Sequence, residues 1–175
     1  MDVLILAGYK KNHSLDPVLL DRQIERTREM GLNPIVVLSG KYADETLRRS
    51  LLLSSCELVF DTNDEDVSLM TNLKAGIQMV AETCFVLPVE VPAPPSEAWK
   101  ALKIAFQTSG FTTKFALLQL TDQQGAPWNW GFPLFVTRFG RHLLLNEENL
   151  TSFFDPRWTY LRCSSEGLAP KTHSL

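Results

Sequence analysis

Short apolar runs alternate with stretches of helical periodicity along most of the chain. The apolar runs predict strands at residues 3–7, 34–38, 57–60, 84–88, 114–120 and 158–162. Helical spacing predicts helices over residues 17–30, 43–53, 67–81, 96–107 and 137–145. Strands that alternate with helices in this way are typical of parallel βαβ units. The pattern therefore predicts an α/β fold with a mostly parallel, Rossmann-like sheet.

The boundaries of the first helix carry the clearest local signals. Asp16 can accept hydrogen bonds from the first free N–H groups, and Pro17 suits the first helical position. Gly31 follows the last periodic residue and predicts the end of the helix.

Length and composition favour one ordinary globular domain. A chain of 175 residues with 45% apolar and 21% charged residues buries roughly 70% of its unfolded surface, without help from disulfides or metals. We expect one three-layer α/β/α domain over residues 1–163 and a flexible C-terminal tail over residues 164–175.

Charge and cysteine content narrow the environment and the partners. The net charge is −3, and the basic residues form no stripe that would indicate nucleic-acid binding. No segment has the roughly 20 apolar residues of a membrane span, and residues 1–12 do not resemble a signal peptide. The three cysteines are widely spaced, and Cys84 lies within an apolar run, which predicts a small buried hydrophobic residue. These features predict a protein of the reducing cytoplasm, without a membrane or nucleic-acid partner.

The expected fold directs attention to the loops that follow the strands. Open parallel sheets bind ligands outside the carboxyl ends of their strands, which here selects residues 8–14, 40–44, 61–66, 90–95 and 121–133. Motifs for zinc proteases, P-loops and nucleophile elbows are absent from the sequence. Ser39 and Gly40 after a strand are too little to indicate a serine hydrolase.

Segments from three regions resemble the MobA-like nucleotidyltransferases when taken in order. They are VLILAG at 3–8 with PVLLDRQIERTREMG at 17–31 and IVVLSG at 35–40, then TNLKAG at 71–76 with FVLPVEVP at 85–92, and finally GFPLFVT at 131–137. Together they span roughly residues 1–145. The resemblance implies a fold like that of the nucleotide-diphospho-sugar transferases, also called GT-A-like.

The resemblance also implies a reaction and a set of site residues. A nucleoside triphosphate would give its nucleoside monophosphate to a small phosphate-bearing acceptor, with Mg²⁺ as cofactor. The family includes enzymes of molybdenum cofactor biosynthesis. Glu90 would hold the metal, and Lys10 and Lys11 would contact the phosphates as catalytic cations. The implied nucleotide contacts are Leu6, Ala7, Gly8, Asp61 and Asn72, and the implied acceptor contacts are Trp130, Gly131, Phe132 and Pro133.

The sequence departs from the family pattern at the positions that carry the chemistry. Gly8 is followed by YKKNHS, whereas the family has a glycine-rich LAGGxSxRMG loop and a lysine. Glu90 stands where the family has an aspartate, and Phe132 where it has a histidine. A solvated surface loop explains Lys10 and Lys11 equally well, an exposed surface residue explains Glu90, and core packing explains Trp130.

Three interpretations follow from these departures. The chain is an active nucleotidyltransferase, or a catalytically degenerate relative that binds a nucleotide or a protein partner, or a different enzyme on a similar doubly wound scaffold.

Overall fold

A computed structural model describes residues 1–8, 16–39, 43, 49–61, 68–92, 96–108, 117–121, 132–146 and 160–164. In this part of the chain the strands are β1 Asp2–Ala7, β2 Asn33–Ser39, β3 Glu57–Asp61, β4 Cys84–Pro88, β5 Leu117–Thr121, β6 Leu134–Val136 and β7 Tyr160–Ser164. The α-helices are α1 Pro17–Glu29, α2 Leu69–Met79, α3 Ser96–Thr108 and α4 Arg138–Asn146.

The seven strands form one sheet in the order β3-β2-β1-β4-β6-β5-β7. The neighbours β3, β2, β1 and β4 are all parallel, with Leu4 of β1 opposite Ile35 of β2 and Val86 of β4. Strand β6 is antiparallel to β4 and β5, and β5 is parallel to β7. The predicted α/β fold with a mostly parallel sheet is confirmed.

The hydrophobic core lies along the central strands, because helices cover both faces of the sheet there. In β1, Val3 to Ala7 are completely buried, as expected for a parallel strand with both faces covered. Parallel crossovers are right-handed, so α1, between β1 and β2, and α2, between β3 and β4, lie on opposite faces of the sheet. Phe85 packs edge-on against Trp99 of α3 at 4.9 Å and against Phe135 of β6 at 5.0 Å between ring centroids.

The ends of α1 and α2 are fixed by local hydrogen bonds. Asp16 Oδ1 accepts from the Val18 N–H at 2.9 Å, and Gly31 has a positive φ of 68°, as its position after the helix predicts. Helix α2 is shorter than the predicted 67–81, because Ser68 and Thr71 form a capping box that begins it at Leu69.

The predicted helix over 43–53 is wrong at its C-terminal end. Residues 50–52 are not helical, and Leu53–Ser55 form a 3₁₀-helix. The carboxylate of Asp21 in α1 accepts from the N–H groups of Leu51 and Leu52 at 3.1 and 3.3 Å and from the Ser50 hydroxyl. These tertiary hydrogen bonds satisfy the two N–H groups outside a helix.

None of the helices in the described part of the chain has both the length and the apolar character needed to cross a bilayer. Strand β7 ends at Ser164, and residues 165–175 of the predicted tail lie outside the described residues. Cys84 is 1% exposed, which confirms its prediction as a buried residue.

Candidate functional site

Four parallel strands bring their carboxyl ends to one edge of the sheet. Strands β3, β2, β1 and β4 are consecutive neighbours and end at Asp61, Ser39, Ala7 and Pro88. Asp61, Gly8 and Glu90, predicted as ligand-binding residues, therefore share this edge. Such an edge is where open α/β sheets bind ligands.

A chain of hydrogen bonds connects three of these strand ends. The Ser39 hydroxyl donates to the Gly8 carbonyl at 2.9 Å. The Asn72 side chain, from α2, uses one nitrogen to donate to Ser39 Oγ at 2.8 Å and to Asp61 Oδ2 at 3.1 Å. Gly8, Asp61 and Asn72, which are far apart in sequence, therefore belong to one network, with Ser39 as the central link.

The members of this network differ in how much of each residue is exposed to solvent. Asn72 is completely buried, and its Oδ1 has no hydrogen-bond partner among the described residues. Asp61 and Gly8 are half-buried. In this conformation Asn72 therefore holds Asp61 and Ser39 in place by hydrogen bonds. Asp61 and Gly8 have exposed surface that a ligand can reach. A direct contact between Asn72 and a nucleotide stays a prediction.

The backbone after β1 requires glycine. Gly8 has a φ of +89°, and a Cβ placed on it would lie 2.7 Å from the Ser39 carbonyl oxygen. Both the left-handed conformation and the close approach of two backbones exclude larger residues. Leu6 and Ala7 are fully buried, so a ligand at this strand end would meet their backbone rather than their side chains.

Glu90 is exposed and lies in a turn directly beyond β4. The Val91 N–H donates to the Pro88 carbonyl at 3.0 Å, which closes the turn, and the Val89 N–H donates to the Leu6 carbonyl at 2.9 Å. From α1, Gln23 Nε2 donates to the carbonyls of Val89, at 3.3 Å, and Val91. The backbone on both sides of Glu90 is therefore anchored to β1 and to α1.

The carboxylates at this edge of the sheet limit the kind of metal site that could form there. Among the described residues, no group of three or more His, Cys, Asp or Glu side chains could hold a metal ion. Mg²⁺ commonly binds through one or two carboxylates together with substrate phosphates and waters. Glu90 therefore fits a metal that arrives with a polyphosphate, and the described residues offer no all-protein cage.

The remaining predicted site residues divide between the core and the undescribed part of the chain. Lys10, Lys11, Trp130 and Gly131 lie outside the described residues. Phe132 is 7% exposed and belongs to the core, and Pro133 is buried as well. Little of either side chain is open to an acceptor, and their predicted role in acceptor binding stays a prediction.

Two site residues, Ser39 and Gln23, were missed by the sequence reasoning. Ser39 ends β2 at the carboxyl edge, so its position as a polar strand-terminal residue was an available signal. Gln23 lies on the same helical face as Leu19 and Met30, and nothing local indicates its contacts 66 and 68 residues away.

Comparison with known proteins found similarity at the level of structure. No family model matches the chain, and no curated protein matches it. Solved structures do match over 93% of the chain. A homologue of Mycobacterium tuberculosis Rv0371c from Mycobacterium sp. strain JC1 is 18% identical, with 84% of its chain covered and a TM-score of 0.68. Rv0371c from M. tuberculosis H37Rv, solved as a complex with manganese, is 15% identical, with 86% covered and a TM-score of 0.64.

A third similar structure is CMP:2-keto-3-deoxy-manno-octonic acid synthetase complexed with CTP. It is 12% identical, with 89% of its chain covered and a TM-score of 0.57. At these identities the likeness concerns the fold. The chain has the mixed α/β fold of the nucleotide-diphospho-sugar transferase class, to which the predicted resemblance pointed.

Proposed function

We propose that this protein binds a nucleoside triphosphate with a divalent cation at the carboxyl edge of β3, β2, β1 and β4, and transfers the nucleoside monophosphate to a small phosphate-bearing acceptor. The observation that carries the proposal is the Gly8–Ser39–Asn72–Asp61 network at the ends of β1, β2 and β3. The exposed Glu90 lies in the turn after β4, the next strand of the sheet. Structures of this fold solved with CTP and with manganese support the ligand classes.

The proposed residue roles follow the family resemblance, together with the described positions at the carboxyl edge of the sheet. The backbone of Leu6, Ala7 and Gly8 would lie against the nucleotide, where close approach of the chain is possible. Asp61, held by Asn72, would accept hydrogen bonds from the base or the ribose. Lys10 and Lys11, which follow Gly8 in the sequence, would contact the phosphates, and residues 130–133 would form the acceptor side.

Glu90 would hold the cation. When bound with the nucleotide, a divalent ion neutralises phosphate charge during transfer. In the reaction an oxygen of the acceptor phosphate forms a bond to the α-phosphorus, the bond from that phosphorus to the bridging oxygen breaks, and pyrophosphate leaves. The protein contributes mainly positioning and charge.

The finer assignments belong to the same proposal. They are membership of the MobA-like group, Mg²⁺ as the physiological ion, a single domain over residues 1–163 and a cytoplasmic location. A role in molybdenum cofactor biosynthesis is supported only by the resemblance to the MobA-like family.

A second candidate is a nucleotide-binding or protein-interaction module without turnover. Two observations favour it. The sequence after Gly8 lacks the family's second glycine, and Phe132 is packed in the core at the position of the family's histidine. This candidate predicts nucleotide binding that does not depend on the cation, or no nucleotide binding at all.

Titration calorimetry with each nucleoside triphosphate, with and without Mg²⁺, separates the two candidates. We expect one nucleotide to bind more tightly with Mg²⁺, and Glu90→Gln to lose at least about tenfold of that affinity, since even outer-shell partners of metals contribute about 10–100-fold. Glu82→Gln is the matched control, because Glu82 is an exposed glutamate at the opposite end of β4. Equal affinities for wild type and Glu90→Gln would refute the metal role, and cation-independent binding would favour the module.

A further inference from the structure

Gln23 is a buried amide in the middle of α1. Its side chain is 1% exposed, and its single nitrogen donates to two carbonyls, those of Val89 and Val91. Its Oε1 is buried without a hydrogen-bond partner among the described residues. A buried unsatisfied polar atom costs about 1–3 kcal/mol, so an apolar side chain of similar size would serve packing better. The two donated hydrogen bonds distinguish Gln23 from such a side chain.

Both acceptors flank one residue, Glu90. Val89 and Val91 lie beyond the last residue of β4, and the Gln23 side-chain nitrogen donates to both of their carbonyls. The N–H groups of Val89 and Val91 are bound to Leu6 and Pro88. The residues before and after Glu90 are thus fixed through both their N–H and their C=O groups, while Glu90 itself is exposed.

We infer that Gln23 is a positioning residue that sets the orientation of Glu90 toward a cation bound with the nucleotide. The inference rests on the proposed function, because it takes Glu90 as a ligand of the metal. Residues that orient metal ligands contribute about 10–100-fold to metal affinity. We expect Gln23 to orient Glu90 in the same way, by holding the backbone of the turn in which Glu90 lies.

Gln23→Met tests the inference, because methionine has a similar length and volume and no donor. Gln23→Asn is the second variant, because its amide is one methylene too short to reach both carbonyls. Thr27→Val is the matched control: Thr27 lies one turn further along α1, is 1% exposed and has a buried hydroxyl without a partner among the described residues, but no hydrogen bond to the turn.

Two readouts distinguish positioning from a merely structural role. Electron paramagnetic resonance measures Mn²⁺ affinity in the presence of saturating nucleotide, with nucleotide affinity in the absence of metal as the reference. Amide hydrogen exchange by NMR measures protection of the Val89 and Val91 N–H groups. We expect Gln23→Met and Gln23→Asn to weaken Mn²⁺ binding about 10–100-fold, to leave metal-free nucleotide binding unchanged and to accelerate exchange at Val89 and Val91. Thr27→Val should change none of these.

The outcomes separate this inference from the function on which it rests. Loss of Mn²⁺ binding in Glu90→Gln, with wild-type binding in both Gln23 variants, overturns the role of Gln23 and leaves the proposed function intact. Wild-type protein that binds no Mn²⁺–nucleotide overturns both. Equal losses of metal-free nucleotide binding and Mn²⁺ binding would also overturn the inference, because they indicate a general structural defect. If Gln23→Met does not fold, the same measurements on Gln23→Asn decide.

Discussion

Replacing Asn72 by aspartate probes the network with little change in shape. In the wild type, Asn72 Nδ2 lies 3.1 Å from Asp61 Oδ2 and 2.8 Å from Ser39 Oγ. Asn72→Asp puts an oxygen in the place of this donor, at a position that is completely buried. Two carboxylates then face one another at hydrogen-bond distance, and Ser39 loses its donor.

The magnitude follows from the two hydrogen bonds. The one to the hydroxyl contributes about 0.5–1.5 kcal/mol and the one to the carboxylate about 1.5–3 kcal/mol, so their loss costs about 2–4.5 kcal/mol of the free energy of unfolding. Burial and the neighbouring carboxylate raise the pKa of the introduced carboxyl in the folded state. Above the ordinary Asp pKa of about 3.9, the folded state then holds a proton that the unfolded state has released. Stability therefore falls by about 1.4 kcal/mol per pH unit until the folded-state pKa is passed.

Urea unfolding followed by tryptophan fluorescence measures this effect at about pH 5 and about pH 7.5. We expect the deficit of Asn72→Asp relative to wild type to be larger at the higher pH. The double variant Asp61→Asn/Asn72→Asp restores a donor opposite a carboxylate and should recover part of the loss at neutral pH, where coupling between neighbours is expected. A deficit that does not change with pH, or no deficit, would refute the hydrogen bond from Asn72 to Asp61.

Two further predictions concern buried positions in α2 and β4. The Cβ introduced by Gly76→Ala would lie 2.6 Å from Val37 Cγ2. Overpacking of this kind costs about 1–3 kcal/mol and the helix propensity of alanine offsets about 1 kcal/mol, so we expect a net loss of up to about 2 kcal/mol in urea unfolding. A more stable variant would contradict this close packing. Burial raises the pKa of the Cys84 thiol to about 12. Between about pH 9 and about pH 12 the folded state therefore keeps a proton that the unfolded state releases. The free energy of unfolding should fall as the pH rises through this range. At about pH 8.5, iodoacetamide should modify the half-buried Cys56 well before Cys84 in peptide mass spectrometry, because the Cys84 side chain is only 1% exposed. Equal rates would contradict the burial of Cys84.

Much of the fold could be predicted from the sequence because its determinants are local. Strand β1 is a continuous apolar run, as expected for a strand covered on both faces. The cap of α1 needs only Asp16 and the N–H of Val18, two residues away. Where the determinants are distant the prediction failed: Leu51 and Leu52 fit a helical pattern, yet Asp21, about 30 residues earlier, binds their N–H groups outside a helix.

The candidate site was predictable in outline and not in its internal connections. Gly8 and Glu90 follow strand ends, and Asp61 follows the predicted strand 57–60, so the rule for ligand sites in open sheets selects all three without knowledge of contacts. The same rule includes Ser39 only if a polar residue that ends a strand is counted with the loop. Asn72 is predicted as a nucleotide contact from the family resemblance, and that role stays a prediction. Its hydrogen bonds to Asp61 and Ser39 join residues that are 11 and 33 positions away, and no local pattern in the sequence indicates them.

Gln23 and Asn72 share a hydrogen-bond arrangement that connects the helices to the carboxyl edge and that the sequence does not predict. Each is a buried amide on a helix, each donates from one nitrogen to two acceptors, and each leaves its oxygen without a partner among the described residues. The helices α1 and α2 lie on opposite faces of the sheet, so the carboxyl edge is held from both sides. Replacing either amide alone by an apolar side chain would leave its two acceptors without a donor, which costs about 1–3 kcal/mol for each buried group. The two amides therefore stabilise the ends of the strands. In doing so, Asn72 holds the Asp61 carboxylate, and Gln23 holds the backbone on both sides of Glu90.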